Sequence, residues 1–150
     1  MLNKLGVIFL VLFFSFTAVT LGQEWHTVNQ ATITWSKVTG LEGGTPFPET
    51  DVIEYRVWLS NAVTDPDKTN PVEVGTTEEI MFVVTLNVEG RYFVGLQTMR
   101  SILMGPDDEK KLVGESRIGW SDEPEIALDG NIFGLQHYLP PPPPHGVGLL

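Results

Sequence analysis

The chain has 150 residues, with 19 acidic and 9 basic side chains, a formal net charge of −10 and a 42% share of hydrophobic residues. This length favours one domain with a real core, and the acidic surplus disfavours nucleic acid and anionic membranes, which are bound mainly through Lys and Arg. Cysteine is absent, which excludes disulfides, thiolate metal sites and cysteine nucleophiles.

Residues 1–22 have the pattern of an export signal. Lys4 supplies a positive start, an apolar run follows over residues 5–16, and small and mixed residues close the segment at 17–22. An uncleaved N-terminal anchor is the alternative, although the uncharged run is barely as long as the roughly 20 residues that span a bilayer. We predict a secreted, cell-surface or periplasmic protein, with residues 1–22 as a signal peptide and no other membrane contact.

Two strands are expected after the signal. The first lies within residues 24–30 and is poorly marked, whereas residues 31–37 alternate between apolar and polar side chains. Period-two alternation with β-branched residues indicates a half-buried strand. Ile33 and Trp35 then share the inner face.

A Gly/Pro-rich loop separates these strands from the next one. Residues 52–60 alternate again, which places Tyr55 and Val57 in the core. A polar loop follows over 61–70, and residues 71–75 suit a short edge strand that begins at a proline.

The apolar run over residues 80–86 predicts a further strand of ambiguous parity. Counting back by twos from its last residue puts Phe82 and Val84 inside. A bend near its end would put Met81 and Val83 inside instead.

A tight corner joins this strand to the next one, and the rest of the sandwich is organised around it. Leu86 stands six residues before Tyr92, the spacing of a tyrosine corner, in which the ring packs on the core and the hydroxyl bonds to backbone upstream. The same alternation puts Val94 and Leu96 on the inner face of the following strand.

The remaining chain is predicted as a loop, a last strand and a tail. Residues 101–113 read as a long charged loop, and 114–121 as the last strand. Beyond residue 128 the strand pattern breaks, and the consecutive prolines at 140–144 impose a stiff polyproline II conformation.

Several motifs occur in order along these predicted strands: Ile33-Thr34-Trp35, Ile53-Glu54-Tyr55-Arg56-Val57, the Leu86…Tyr92 corner, Tyr92-Phe93-Val94-Gly95-Leu96 and Glu115-Ser116-Arg117-Ile118-Gly119-Trp120-Ser121. This set resembles a fibronectin type III domain over roughly residues 27–125. The resemblance implies two sheets, with the strands at 52–60, 90–100 and 114–121 in one of them, and a binding or spacer module rather than a catalyst. No Arg-Gly-Asp occurs in the 101–113 loop, so integrin-type adhesion is not implied.

We therefore predict an all-β fold, an immunoglobulin-like, seven-stranded β-sandwich of the fibronectin type III type over residues 23–128. An N-terminal signal helix precedes it, and an irregular, proline-rich tail follows at 129–150. The predicted structural core is Ile33, Trp35, Tyr55, Val57, Leu86, Tyr92, Val94 and Leu96.

No catalytic, metal or cofactor site is predicted. His26, His137 and His145 lie far apart in the sequence and have no partner at ligand spacing. The loop at 65–76 starts like a calcium loop but lacks its sixth-position Gly and twelfth-position Glu. No nucleophile elbow or Gly-rich phosphate loop occurs, so we expect a protein that is not an enzyme.

One surface suggests binding. On the outer face of the central sheet, an aromatic pair should be adjacent to polar side chains and a dip at Gly95. The residues of this predicted surface are Trp58, Phe93, Arg56, Arg91 and Gln97. An exposed aromatic pair is typical of a partner site or a sugar-stacking site, unless the tail or a neighbouring domain covers it.

The leading functional prediction is an exported, non-catalytic module that makes protein–protein contacts at the cell surface or outside the cell. The C-terminal segment contributes Phe133, Tyr138 and Leu139, which could add to a partner's sheet edge or pack back on the sandwich. One alternative is a structural subunit of an extracellular assembly, with residues 131–150 docking on the next copy. Another is glycan binding through stacked aromatics.

Overall fold

A computed structural model describes residues 22–146, 148 and 149 of the chain. Residues 1–21 of the predicted signal peptide therefore lie outside the described residues. Within the described part, no helix is long and apolar enough to cross a membrane. The strands are β1 (Glu24–Thr27), β2 (Gln30–Thr34), β3 (Asp51–Asn61), β4 (Val72–Thr77), β5 (Met81–Thr85), β6 (Gly90–Met104), β7 (Glu109–Glu115), β8 (Gly119–Trp120) and β9 (Phe133–His137), with a 3₁₀ turn at Leu128–Gly130.

The strands form two sheets that are not closed. The larger sheet has the order β1-β9-β6-β3-β4, with β7 and β8 also paired to β6, and the smaller sheet consists of β2 and β5. All pairs are antiparallel except β1 with β9. The predicted all-β sandwich is confirmed at this level, although the described residues contain nine strands and not seven.

The core lies between the two sheets, where alternate side chains of facing strands meet. Its buried cluster consists of Val57, Leu59, Val84, Leu86, Val94 and Leu135. Tyr55 is also buried, whereas Ile33, Trp35, Tyr92 and Leu96 are half-buried and pack against the cluster. Val84 is 1% exposed and Val83 is 49% exposed, which settles the parity of β5 in favour of Phe82 and Val84 inside.

The predicted tyrosine corner is present between β5 and β6. The Tyr92 hydroxyl donates a hydrogen bond of 2.9 Å to the carbonyl oxygen of Val88, four residues upstream. The ring packs against the core cluster that contains Leu86. The corner thus fixes the turn by one polar bond and one apolar contact.

The prediction of a long loop at 101–113 is wrong. Strand β6 continues to Met104 and β7 begins at Glu109, so only a four-residue turn separates them, with Gly105 at φ 74° and Asp108 at φ 51°. Every residue of β7 in this hairpin is exposed. The strand therefore has no buried face, and its sequence does not alternate between apolar and polar residues. The predicted last strand at 114–121 is also interrupted, because β7 ends at Glu115 and β8 is short.

The prediction of an irregular tail from residue 129 is wrong for residues 133–137, because these residues form β9. Strand β9 pairs with β6 on one side and with β1 on the other. Its inward residue Leu135 is 2% exposed and belongs to the core. The sandwich therefore continues beyond the predicted boundary at residue 128, because β9 pairs with β1 and β6 and places Leu135 in the core.

Candidate functional site

The predicted aromatic surface forms in part. The guanidinium of Arg56 lies 5.6 Å from the centroid of the Trp58 ring and donates a bond of 3.4 Å to the side-chain oxygen of Gln97. It also forms ion pairs with Glu73 and Glu115, each at 3.5 Å. The structure therefore brings Arg56, Trp58 and Gln97 together, and it commits the charge of Arg56 to partners within the molecule.

The expectation that Phe93 is exposed is wrong. Its side chain is buried, with 9% exposure. The ring lies 5.7 Å from that of Trp25 in β1, and the ammonium of Lys68 lies 4.6 Å from the ring centroid. Both covering residues come from distant parts of the sequence, which is why the alternation within β6 did not reveal them.

The expected dip at Gly95 is filled. A Cβ atom added there would lie 2.7 Å from Ile118 Cγ2 and 2.8 Å from Trp120 Cζ3. Trp120 is itself buried at 7% exposure. The sequence predicts a single strand over residues 114–121, whereas in the structure the short β8 and the residues before it place the side chains of Ile118 and Trp120 over this face.

Lys68 and Arg91 complete a row of cations and aromatic rings on this outer face. The ammonium of Lys68 lies between the rings of Phe93 and Trp120, 4.6 Å and 5.8 Å from their centroids, and pairs with Asp122 at 2.7 Å. The guanidinium of Arg91 lies 5.2 Å from the Trp25 ring. Cation–π contacts of this kind are stabilising, and here they occupy ring faces that would otherwise be open to a ligand.

The predicted tail residues separate into two kinds. Phe133 packs against the core, whereas Tyr138 and Leu139 are each 55% exposed. The backbone N–H of Leu139 donates to a carboxylate oxygen of Glu89 at 3.0 Å, which ties the start of the tail to the corner of the sandwich.

The acidic loop after β3 uses its carboxylate internally. Asp65 Oδ1 accepts bonds from the backbone N–H and the hydroxyl of Thr69, while Oδ2 accepts from Asn70 N–H and the hydroxyl of Ser60. The backbone N–H of Asn70 is the main cause that lowers the pKa of Asp65, with Thr69 and Ser60 adding to it and desolvation opposing it. In the described part of the chain, no three His, Asp or Glu side chains are placed to hold a metal ion.

The free edge of β2 is a second candidate surface, which the sequence analysis missed. Trp35 N–H donates to Ile80 O at 3.1 Å next to the β2–β5 ladder. An antiparallel ladder alternates between bonded and non-bonded pairs, so the odd-numbered residues of β2 direct their backbone groups to β5. The backbone groups of Thr32 and Thr34 face the other way, where β2 has no neighbouring strand among residues 22–146.

A groove runs along this edge, between β2 and the larger sheet; we call it the β2 groove. It consists of three hollows of about 380, 120 and 550 Å³, which all share Thr34 and Leu128 in their linings. Its apolar lining includes Val28, Ala31, Ile33, Trp35, Leu96, Ile126, Leu128, Phe133 and Leu135. The lining contains no Asp or Glu, and its ionisable side chains are His26 and Arg117.

Two apolar side chains at the groove are exposed to water. Leu128 in the 3₁₀ turn is 77% exposed, and Ile126 is 45% exposed. The indole Nε1 of Trp35 is buried and has no hydrogen-bond partner within the described chain. Among residues 22–146, this side of the sandwich therefore has an apolar floor, an unpaired strand edge and incomplete coverage.

The groove arises because β1 does not join the smaller sheet, which has two strands within the part of the chain that the structure describes. Strand β1 pairs with β9 in the larger sheet, and Val28 and Asn29 then carry the chain across to β2. An unpaired edge beside an apolar groove can accept an extended segment, since backbone bonds hold the strand while pockets receive alternate side chains. The only hint of this free edge in the sequence was the poorly marked strand at 24–30. No local pattern shows which strand it pairs with.

Comparisons of the chain with family models, with curated proteins and with solved structures found no match.

Proposed function

We propose that the chain is an exported, non-catalytic binding module of the fibronectin type III type, which makes protein–protein contacts at the cell surface or outside the cell. The hydroxyl bond of Tyr92 at the corner supports this type of fold. So does the arrangement of β3, β6, β7 and β8 in one sheet, with β2 and β5 in the other. The apolar run within residues 1–22 supports export.

The β2 groove is the binding surface that the geometry favours most. The observation that carries this proposal is the unpaired edge of β2 beside an apolar groove that includes the exposed Leu128. A partner's strand would gain backbone hydrogen bonds to Thr32 and Thr34 and would remove apolar surface from water. Full burial of an exposed Leu contributes up to about 3 kcal/mol.

The outer aromatic face supports the proposal less. Phe93 is covered by Trp25 and Lys68, and Arg56 is paired within the molecule. Glycan stacking needs an open ring face, and the face of Phe93 is occupied. Glycan binding stays a prediction without a specific geometric observation in its favour.

A photo-crosslinking experiment tests the proposed surface. The full chain carries p-benzoylphenylalanine in place of Leu128 in one variant and in place of Met81 in the other. Met81 is a matched control, because it is 53% exposed but lies on the face of β5 that is turned away from the core. Each variant is irradiated in the extracellular medium of the cells that produce the protein. Discrete protein adducts should form at position 128 and not at position 81.

Identical adducts at both positions, or none at position 128, would contradict a binding role for the β2 groove. Mass spectrometry of each adduct identifies the protein and peptide that occupied the groove.

A further inference from the structure

We propose that the β2 groove receives residues 146–150 of a second copy of this chain, which add to the smaller sheet as a third strand beside β2. This inference rests on the proposed function, because it names the partner of the same groove.

The acceptor is matched to a short extended segment. Strand β2 has five residues, and its free edge offers the backbone groups of Thr32 and Thr34 to a neighbour. Side chains that point inward from such a neighbour would enter the groove between Ile33 and Leu128. The acceptor therefore fits about five residues with apolar side chains on one face only.

The donor segment has this pattern over its first four residues. Residues 146–150 read Gly-Val-Gly-Leu-Leu, so Val147 and Leu149 share one face of an extended strand, whereas Gly146, Gly148 and the final Leu150 share the other. Leu149 is fully exposed in the single chain. The preceding prolines have no N–H to offer a sheet edge, so strand addition is confined to the residues that follow them.

The tail is too stiff to bring this segment to its own groove. Strand β9 ends at His137, whose ring Nδ1 lies 3.3 Å from the carbonyl oxygen of Val28, a residue of the groove lining. The five prolines at 140–144 impose a stiff polyproline II rod of about 16 Å between this point and the donor segment. An extended run over 147–150 would span about 14 Å. This length is less than that of the rod, so a segment that turned back along the rod would have no residues left to pair with β2 of its own chain. The groove within reach is therefore that of another molecule.

The charge distribution favours the same contact. With a formal net charge of −10, two copies repel each other over most of their surfaces. Residues 138–150 contain no Asp, Glu, Lys or Arg, and the groove lining contains no Asp or Glu. The tail and the groove of two copies can therefore come together without desolvating an Asp or Glu side chain.

A tail-in-groove contact is head-to-tail, so each copy has one donor and one acceptor. Such heterologous contacts form open chains unless their rotation closes a ring. We expect the full chain to form assemblies that grow with protein concentration.

Complementary variants of the full chain test this geometry by sedimentation velocity. Leu128→Asp places a carboxylate in the groove, and Leu149→Asp places one in the donor strand. Each variant alone should self-associate about 100-fold more weakly than the parent. An equimolar mixture should form 1:1 dimers and nothing larger, since one variant retains the donor and the other the acceptor. Val63→Asp, at a 73% exposed position outside both elements, should behave as the parent.

A second pair of variants tests the backbone contact. Thr32→Pro removes the outward N–H of β2, whereas Thr32→Ala removes the same hydroxyl and keeps the N–H. Proline should weaken association at least about tenfold more than alanine. Circular dichroism of both variants establishes that the sandwich is retained.

A monomeric parent at millimolar concentration, self-association of Leu149→Asp equal to that of the parent, or a mixture without dimers would each overturn the inference. So would a crosslink from position 128 to residues 1–21 of the same molecule. If the parent is monomeric while position 128 captures a different protein, this inference fails and the proposed function stands. If position 128 captures nothing, both fail.

Discussion

The two long sides of the sandwich differ in how the chain covers them. On the outer face of β6, Phe93 and Gly95 are closed over by Trp25, Lys68 and Trp120, so a surface that looks functional in the sequence is mostly internal. Along β2, ordinary apolar and threonine side chains form an open groove with an unpaired edge. Aromatic residues in a strand thus say little about exposure until the covering segments are known.

The difference follows from one choice of strand partner. Strand β1 pairs with β9, so it carries Trp25 onto the outer face and, among the described residues, leaves β2 paired on one edge only, with β5. The same pairing closes one side and opens the other. Four predictions separate these contributions, from the largest expected change in stability to the smallest.

The strongest test concerns β9, which lies between β1 and β6 in the larger sheet. Leu135→Ala should lower the free energy of unfolding by about 2–5 kcal/mol, because Leu135 is 2% exposed in the core. Leu128→Ala, at the open groove, should change it by less than about 0.5 kcal/mol. Urea denaturation measures both. Equal losses would show that the two sides are covered to the same extent.

The covered outer face is tested at Gly95. Gly95→Ala should destabilise by about 1–3 kcal/mol, because the new Cβ would collide with Ile118 and Trp120. Gly114→Ala is the matched control, since nothing lies within 4 Å of the Cβ added there. Thermal and urea unfolding compare the two. A neutral Gly95→Ala would mean that this face is open, as the sequence analysis expected.

The corner that holds both sheets together is tested by removing one oxygen atom. Tyr92→Phe should cost about 0.5–1.5 kcal/mol through loss of the hydrogen bond to Val88 O. Tyr138→Phe removes a hydroxyl from a 55% exposed ring and should have a smaller effect. If both substitutions cost the same in urea denaturation, the corner bond contributes nothing beyond a surface hydroxyl.

The smallest effect concerns the loop that carries Lys68 onto the outer face. Bonds from Asn70, Thr69 and Ser60 lower the pKa of Asp65 below its ordinary value of 3.8. The charged carboxylate therefore stabilises the folded state above that value, and this contribution is lost as the pH falls through the lowered pKa.

Unfolding free energies of the parent and Asp65→Asn, measured from about pH 6 down to about pH 2, check this sign. The difference between the two proteins should shrink on acidification. A difference that is constant with pH, or that grows, would contradict the assigned direction.

Local patterns were sufficient for strands that alternate. The inner positions Tyr55 and Val57 follow from period two alone, and the spacing of Leu86 and Tyr92 is sufficient to locate the corner. The continuous apolar run of β5 was different, because both faces read as apolar. Only the packing of Val84 against the core resolved it.

The hairpin arm and the tail show where local patterns fail. Strand β7 is exposed along its whole length and includes Glu109, Lys110 and Lys111, so a strand there has the composition of a loop. In the tail, β9 owes its place to partners more than a hundred positions away in β1 and to β6. Its own five residues alternate only weakly, with Gly134 under Trp25.

By itself, the sequence determined the strand periodicity, the inward residues of β3 and β6 and the corner at Tyr92, because alternation and turn spacing are properties of neighbouring residues. The tertiary structure alone decided that β1 joins β9, that Lys68 and Trp120 cover the outer face, and that β2 keeps a free edge. Those outcomes depend on which distant segments compete for the same surface. Local sequence patterns do not predict which of those segments will pair.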